Sequence, residues 1–366
     1  MGHLAGGKEE AYQALAERLS RFPVGVVINE TLMEILKILY TEGEAAVGAK
    51  FPIKPRPLER IVELTGMKEA QLVSVLEDMA QKGLVVDIPR GDKTYYMLSP
   101  VVVGFFEYSL MRADRADLAE LTKLYELYFH DRGVAEEIFG SNTKMFRSLV
   151  YEQYIPELIR SEVLSYEKAE TIIRDSGGGG LSLCACRHKN YHLNKPCRFP
   201  MEDICTSLSR PADWLIRRGF ARRASVDELL RNLERSHRLG LVLTGDNVID
   251  EPAYICHCCG CCCGPLQAIK EHGVGAVQPS AFLPVIDTDA CLSCDACVDA
   301  CHINALEPVQ SAEPVLNREI CIGCGVCAAV CPSGALEMER REEIYSPPQN
   351  KLDQIIRIAM ERGRFE

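Results

Sequence analysis

Residues 29–41, NETLMEILKILYT, set apolar side chains at helical spacing, with Asn29 and Thr31 standing where caps belong. The next run covers 56–98, RPLERIVELTGMKEAQLVSVLEDMAQKGLVVDIPRGDKTYYML, and changes period. It reads as helix, turn at Gly66, helix, stop at Gly83, then two strands joined by RGDK at 90–93. From 101 to 175 the pattern is helical throughout. Within it Leu118, Leu121, Leu124 and Tyr125 share one face of an amphipathic, core-facing helix. Gly177 to Gly180 read as a flexible joint, with a backbone nest near a ligand the alternative, and LSLCACR after them as a short strand with Cys184 and Cys186 on one face. A basic, helical stretch follows over 210–240, and its single tryptophan, Trp214, reads as core. A further helix opens at Gly264-Pro265, with proline in its first turn.

The order helix, turn, helix and two strands over 56–98 resembles a winged helix-turn-helix. In that fold the second helix, 68–82, would be the recognition helix. It carries Lys68 and Lys82 against Glu69, Glu77 and Asp78. Only Lys68, Gln71 and Ser74 suit phosphates or base edges. DNA is therefore not the expected partner. The module is expected to bind protein or to form a homodimer.

Composition narrows the class. The chain has 366 residues, 47% hydrophobic and 25% charged, ordinary for globular protein of two or three domains. No apolar run approaches the roughly 18–20 residues of a membrane span. The opening MGHLAGGKEE has no signal-peptide core. The expected compartment is the cytoplasm, where thiols stay reduced, so eighteen cysteines point to metal rather than disulfides. All of them lie between Cys184 and Cys331. The net charge of −11 is uneven. Residues 181–240 hold 12 Lys/Arg against 6 Asp/Glu, and 285–340 hold 2 against 9.

CLSCDACVDACHINAL, from Cys291, and CIGCGVCAAVCPSGAL, from Cys321, repeat at a period of 30 residues. Each reads C-x2-C-x2-C-x3-C and resembles the run of two-cluster bacterial ferredoxins. A tight loop brings three thiolates to one cubane, and the fourth cysteine reaches the other. Cys291, Cys294, Cys297 and Cys331 are thus expected to hold one [4Fe–4S] cluster. Cys321, Cys324, Cys327 and Cys301 are expected to hold the second. The resemblance covers about residues 280–340 and implies low-potential one-electron chemistry. Where the second repeat has Pro332 after its last cysteine, the first has His302, which reads either as a side chain able to tune the cluster that Cys301 serves or as a surface residue replacing a loop-shaping proline.

The remaining ten cysteines form an upstream four, Cys184, Cys186, Cys197 and Cys205, and a downstream six, Cys256, Cys258, Cys259, Cys261, Cys262 and Cys263. Side chains of adjacent cysteines diverge, so Cys258/Cys259 and Cys262/Cys263 should split between targets. The two groups are expected to converge on one or two further iron–sulfur clusters, with a structural zinc site the alternative. Cys258-Cys259-Gly260 is locally similar to the CCG of heterodisulfide-reductase-like proteins, which hold an unusual active-site cluster. The long upstream spacing of that family and its closing C-x-x-C are absent. His188, His192 and His257 read as hydrogen-bonding neighbours of the thiols, one of them a candidate proton donor. The arginines of 210–240 suit a solvated face, an anionic-substrate pocket or a dock for the acidic C-terminal module.

The expected architecture is multidomain α+β. A winged-helix domain (1–110) and a helical connecting region (111–180) precede a Cys-rich α/β metal-binding domain (181–279). A ferredoxin-like 2[4Fe–4S] domain (280–340) and a tail helix (341–366) close the chain. The expected function is electron transfer between the ferredoxin module and the central site, with a redox partner protein or an anionic small molecule as the other party. A redox-sensing regulator and a non-catalytic subunit of a larger complex are the rival classes. No dinucleotide-binding glycine fingerprint is present, so a flavin or NAD would come from a partner.

Overall fold

The computed structural model describes residues 3–160, 163–310 and 312–364. Helix Glu30–Leu39 buries Leu32, Ile35, Leu36 and Leu39, and the Asn29 side chain accepts the Leu32 N–H at its start. Thr31 lies inside that helix and does not cap it. Helices Leu58–Thr65 and Glu69–Gln81 flank Gly66, whose φ of 70° ends the first of them. Gly83 follows at φ 77°, against the Tyr108 side chain. Strands β2 (Val85–Arg90) and β3 (Lys93–Leu98) then pair antiparallel, and a short β1 (Arg56–Pro57) adds to β3.

The stretch 101–175 is not helical throughout. Helices Phe106–Leu110, Leu118–Phe129, Arg132–Phe139 and Ala169–Asp175 are broken by β4, Phe146–Ser148. All three residues of β4 are buried, because they pair within a larger sheet rather than along a helix.

That sheet has seven strands in the order β10-β4-β8-β9-β6-β5-β7. The others are β5 (Gly179–Ser182), β6 (Cys205–Leu208), β7 (Arg222–Ala224), β8 (Val242–Asp246), β9 (Tyr254–Cys258) and β10 (Val277–Gln278). Only β10 and β4 run parallel. The sheet starts at residue 146, and β5 crosses the domain boundary expected at 181.

Gly177 to Gly180 are not simply a joint. Gly179 and Gly180 are buried in β5, paired with β6 on one side and β7 on the other. A Cβ on Gly179 would lie 2.1 Å from the Ser207 carbonyl oxygen, so close backbone approach demands glycine there. The strand expected over LSLCACR ends at Ser182. Cys184 instead precedes helix Ala185–His192, and Cys186 lies in its first turn.

The basic stretch 210–240 folds as helix Ser209–Arg217, β7 and helix Val226–Arg238. Four of its arginines are engaged in ion pairs. Arg217 and Arg218 meet Asp87 of β2, Arg218 also meets Glu77, Arg222 meets Asp203 and Glu228, and Arg223 meets Asp213. Trp214 is buried as expected, stacked 5.4 Å from Phe220, and donates Nε1–H to Asp87.

Residues 282–340 form two hairpin-linked halves. β11 (Phe282–Ile286) pairs with β14 (Leu336–Arg340), and β12 (Leu306–Glu307) with β13 (Val315–Leu316). Helices Ala296–Ala300 and Val326–Val330 follow the cysteine loops and pack on each other. The tail helix, Lys351–Glu361, docks on the rest of the chain: buried Gln354 donates to the Lys144 and Asn247 carbonyls. No helix among the described residues is long and apolar enough to cross a membrane.

Candidate metal centres

The C-terminal repeat brings its eight cysteines together as two quartets, each lining a cavity. Cys291, Cys294, Cys297 and Cys331 line one. Cys301, Cys321, Cys324 and Cys327 line the other, which is also walled by Val242 of β8 and by His302. Each quartet takes three cysteines from its own loop and one from the other repeat, because the two short helices cross-pack. Left-handed residues shape the loops: Ser293 and Asp295 in the first, Gly323 and Gly325 in the second. A Cβ on Gly323 would meet the Phe282 carbonyl oxygen at 2.1 Å. Burial raises the thiol pKa of Cys324 to about 12 and pushes that of Cys327 well above its ordinary value. Four thiols around an apolar hollow suit an iron–sulfur cubane, whose irons take up the thiolate charge.

The ten central thiols divide into four and six. β9 is the reason for part of it. Cys256 and Cys258 alternate on one face of the strand, with Ile255 and His257 on the other. A tight turn follows, closed by the N–H groups of Cys262 and Cys263 on the Cys259 carbonyl. This turn sends Cys259, Cys261 and Cys262 one way and leaves Cys258 and Cys263 facing the other.

The six are Cys184, Cys186, Cys205, Cys256, Cys258 and Cys263. Their thiols form a closed ring of side-chain contacts: Cys184 to Cys186, Cys186 to Cys263, Cys263 to Cys258, Cys258 to Cys256, Cys256 to Cys205, and Cys205 back to Cys184. Two of them sit at helix N-termini, Cys184 before Ala185–His192 and Cys263 before Gly264–His272. The hydrogen bonds from Cys184 and Cys256 pull the Cys205 thiol down to about 5, while contact with Cys184 pushes Cys186 up to about 12. The ring therefore holds negative charge unevenly. The Gly264 backbone hydrogen-bonds Cys186, and the Thr244 hydroxyl lies 3.4 Å from the Cys258 Sγ.

The four are Cys197, Cys259, Cys261 and Cys262. Cys197, from the loop after helix Ala185–His192, lies 3.6 Å from Cys259 and 3.4 Å from Cys261. Hydrogen bonds from Cys261 and Cys262, together with the Arg187 charge, hold the Cys259 thiol far below its ordinary value.

Sequence reasoning missed several neighbours. Arg187 is buried between the groups, donating to the Pro200 and His257 carbonyls with its guanidinium facing Cys259. Asn190 donates Nδ2–H to the Cys262 Sγ at 3.3 Å. Glu107, on a separate helix, is raised to about 8 by burial, with the Cys186 charge adding to it. It accepts the Gly104 N–H, which offsets part of that rise. Arg187 and Asn190 stand inside the cysteine-rich stretch and could have been singled out, but nothing local marks Glu107.

The three histidines bond elsewhere. His188 Nδ1 meets the Leu110 carbonyl and its Nε2 meets His192, while His257 Nε2 meets Thr206 and Asn232. Burial lowers His257 to about 3, so it is neutral. The departure at His302 has a structural consequence. Its Nδ1 accepts the Gly260 N–H at 3.1 Å, and its Nε2 faces the Gly240 carbonyl at 2.8 Å. A Cβ on Gly260 would lie 2.1 Å from the His302 carbonyl oxygen, so the cysteine turn and the C-terminal repeat are in backbone contact.

A family model for a 4Fe-4S dicluster domain matches residues 290–335. That segment is similar to dicluster ferredoxin domains. The match spans both cysteine loops and ends just before β14, so the dicluster segment accounts for the eight C-terminal cysteines and for none of the central ten. Nothing among curated proteins or solved structures matches the chain.

Proposed function

We propose that this protein transfers single electrons between two [4Fe–4S] clusters in the dicluster segment and a further iron–sulfur site in the ring of six central thiols. Cys291, Cys294, Cys297 and Cys331 would hold one cubane, and Cys301, Cys321, Cys324 and Cys327 the other. Such clusters supply low-potential one-electron chemistry. The observation that carries the reading is the shared wall. The cavity lined by Cys301 and its partners abuts β8, the strand paired with β9, and His302 ties that cavity to the central cysteine turn. A close, hydrogen-bonded contact between the two cysteine-rich parts favours short-range electron transfer.

The N-terminal helices and three-stranded sheet, read as a winged helix, serve in this proposal as a docking module. Asp87 and Glu77 hold it to the central domain, and Glu77 belongs to the helix that would otherwise read DNA. A partner protein, rather than nucleic acid, then delivers or collects electrons.

Iron and sulfide analysis of anaerobically purified protein, with EPR, tests the proposal. Iron clearly above about eight per chain is expected, since two cubanes account for eight. Replacing Cys256 or Cys205 by alanine should remove the iron and sulfide of the ring while the dicluster EPR signals persist. Iron at or below eight, unchanged by these substitutions, would refute the central cluster.

A further inference from the structure

Cys197, Cys259, Cys261 and Cys262 differ from the chain's other thiols in how tightly they converge. Among the described residues, these four have ligand atoms that all lie within 4.8 Å of one another. The Cys261 Sγ is 3.4 Å from Cys197, 3.5 Å from Cys259 and 3.6 Å from Cys262. A single tetrahedral ion with metal–sulfur bonds of about 2.3 Å sets its ligand sulfurs about 3.8 Å apart. A cubane places four irons between its ligands and spreads them to roughly 6 Å. The dicluster quartets give an internal comparison. Each opens around a cavity, and neither contracts within the span of the central four.

We infer that Cys197, Cys259, Cys261 and Cys262 form a mononuclear site for one tetrahedral iron or zinc ion, distinct from any cluster in the six-thiol ring. The backbone is built for it. The turn closed on the Cys259 carbonyl brings three thiols to one side, and the loop after His192 supplies the fourth. The charge also fits. Four thiolates around a dication leave two negative charges in a half-buried site. Arg187, itself 2% exposed, faces Cys259, and Asn190 hydrogen-bonds Cys262. Lys270 holds the turn from the far side through the Gly260 carbonyl. Cys261 is exposed, so the ion lies at the surface, on the same turn that His302 links to the dicluster segment. The inference goes beyond the electron-transfer proposal and uses none of its ligands.

The test compares full-length, anaerobically purified protein with its Cys197→Ala and Cys261→Ala variants for iron, zinc and acid-labile sulfide. Dicluster EPR signals report whether each variant has folded. Each variant should lose one metal equivalent with sulfide unchanged, and the metal lost tells iron from zinc. Loss of about four irons together with about four sulfides would show a cluster instead. Unchanged metal in folded variants would equally overturn the inference. If neither variant folds, the wild type decides through iron-57 Mössbauer spectroscopy and zinc-edge X-ray absorption. One tetrathiolate iron, or one zinc with four sulfurs near 2.3 Å and no metal neighbour, supports the site. Absence of both refutes it.

Discussion

His302 shows how much a single residue can join. With the Gly260 N–H donated to Nδ1, that nitrogen carries no proton, and Nε2–H is left to donate to the Gly240 carbonyl. One neutral tautomer therefore bridges the dicluster segment to two points of the central domain. A proline, as in the second repeat, could satisfy neither. His302→Pro should leave the dicluster EPR signals in place, because all eight of their cysteines remain. It should destabilise the protein by about 1 kcal/mol per lost hydrogen bond, somewhat more where the Gly260 N–H is left unpaired. The rate at which electrons reach the central site, followed by rapid-freeze EPR, should fall. An unchanged rate would leave His302 a structural contact only.

At the scale of elements, the most informative junction lies between β2 and helix Ser209–Arg217. Asp87 accepts from Trp214 Nε1 at 2.8 Å, Arg218 Nε at 3.0 Å and Arg217 Nη2 at 2.7 Å. Burial alone would raise its carboxyl, but the hydrogen bonds from Arg218 and Trp214 and the charge of Arg217 hold it below the usual range. Asp87→Ala leaves buried donors without an acceptor and should destabilise the protein by roughly 3 kcal/mol. The pH dependence has a definite sign. A carboxyl depressed in the folded state stabilises fully above its unfolded value, about 3.9, and that stabilisation is lost as pH falls through the lower folded value. Hydrogen-exchange protection across β2 and β3, taken relative to the intrinsic rate at each pH, should therefore fall below about pH 4 in the wild type. Asp87→Asn should show no such step. A step of equal size in both would mean that another group controls the junction.

For the molecule as a whole, the last helix acts as a clasp. Gln354 reaches carbonyls before β4 and after β8, Glu361 accepts from Thr143, and Arg364 pairs with Glu137. The C-terminal end of the chain thus fastens the helical region to the central sheet. Gln354→Ala, which removes the donor to the Asn247 carbonyl, should lower stability by roughly 2 kcal/mol. A chain ending before Asn350 should lower the melting temperature further and open residues 140–146 to protease. Resistance equal to that of the full chain would show the clasp to be dispensable.

The sequence by itself determined what rests on local spacing. The two cysteine loops are legible because three ligands of each quartet fall within seven residues, and the repeat supplies the fourth. The helices at 30–39, 58–65 and 69–81 follow from their apolar period and from Gly66 and Gly83, which take the left-handed conformation that glycine favours. Only the tertiary structure decided where strand pairing joins distant segments. The glycines at 179 and 180 looked like a hinge because a strand pressed against Ser207 leaves no local trace. β4 was hidden in a helical stretch because three residues are too few to declare a period of two. The sequence showed that adjacent cysteines must diverge, but not where they go. The division into four and six needs β9 to set Cys256 and Cys258 on one face, a turn to reverse Cys259 to Cys262, and a separate loop to deliver Cys197. Each of those is a relation between segments, fixed by backbone hydrogen bonds that sequence spacing does not specify.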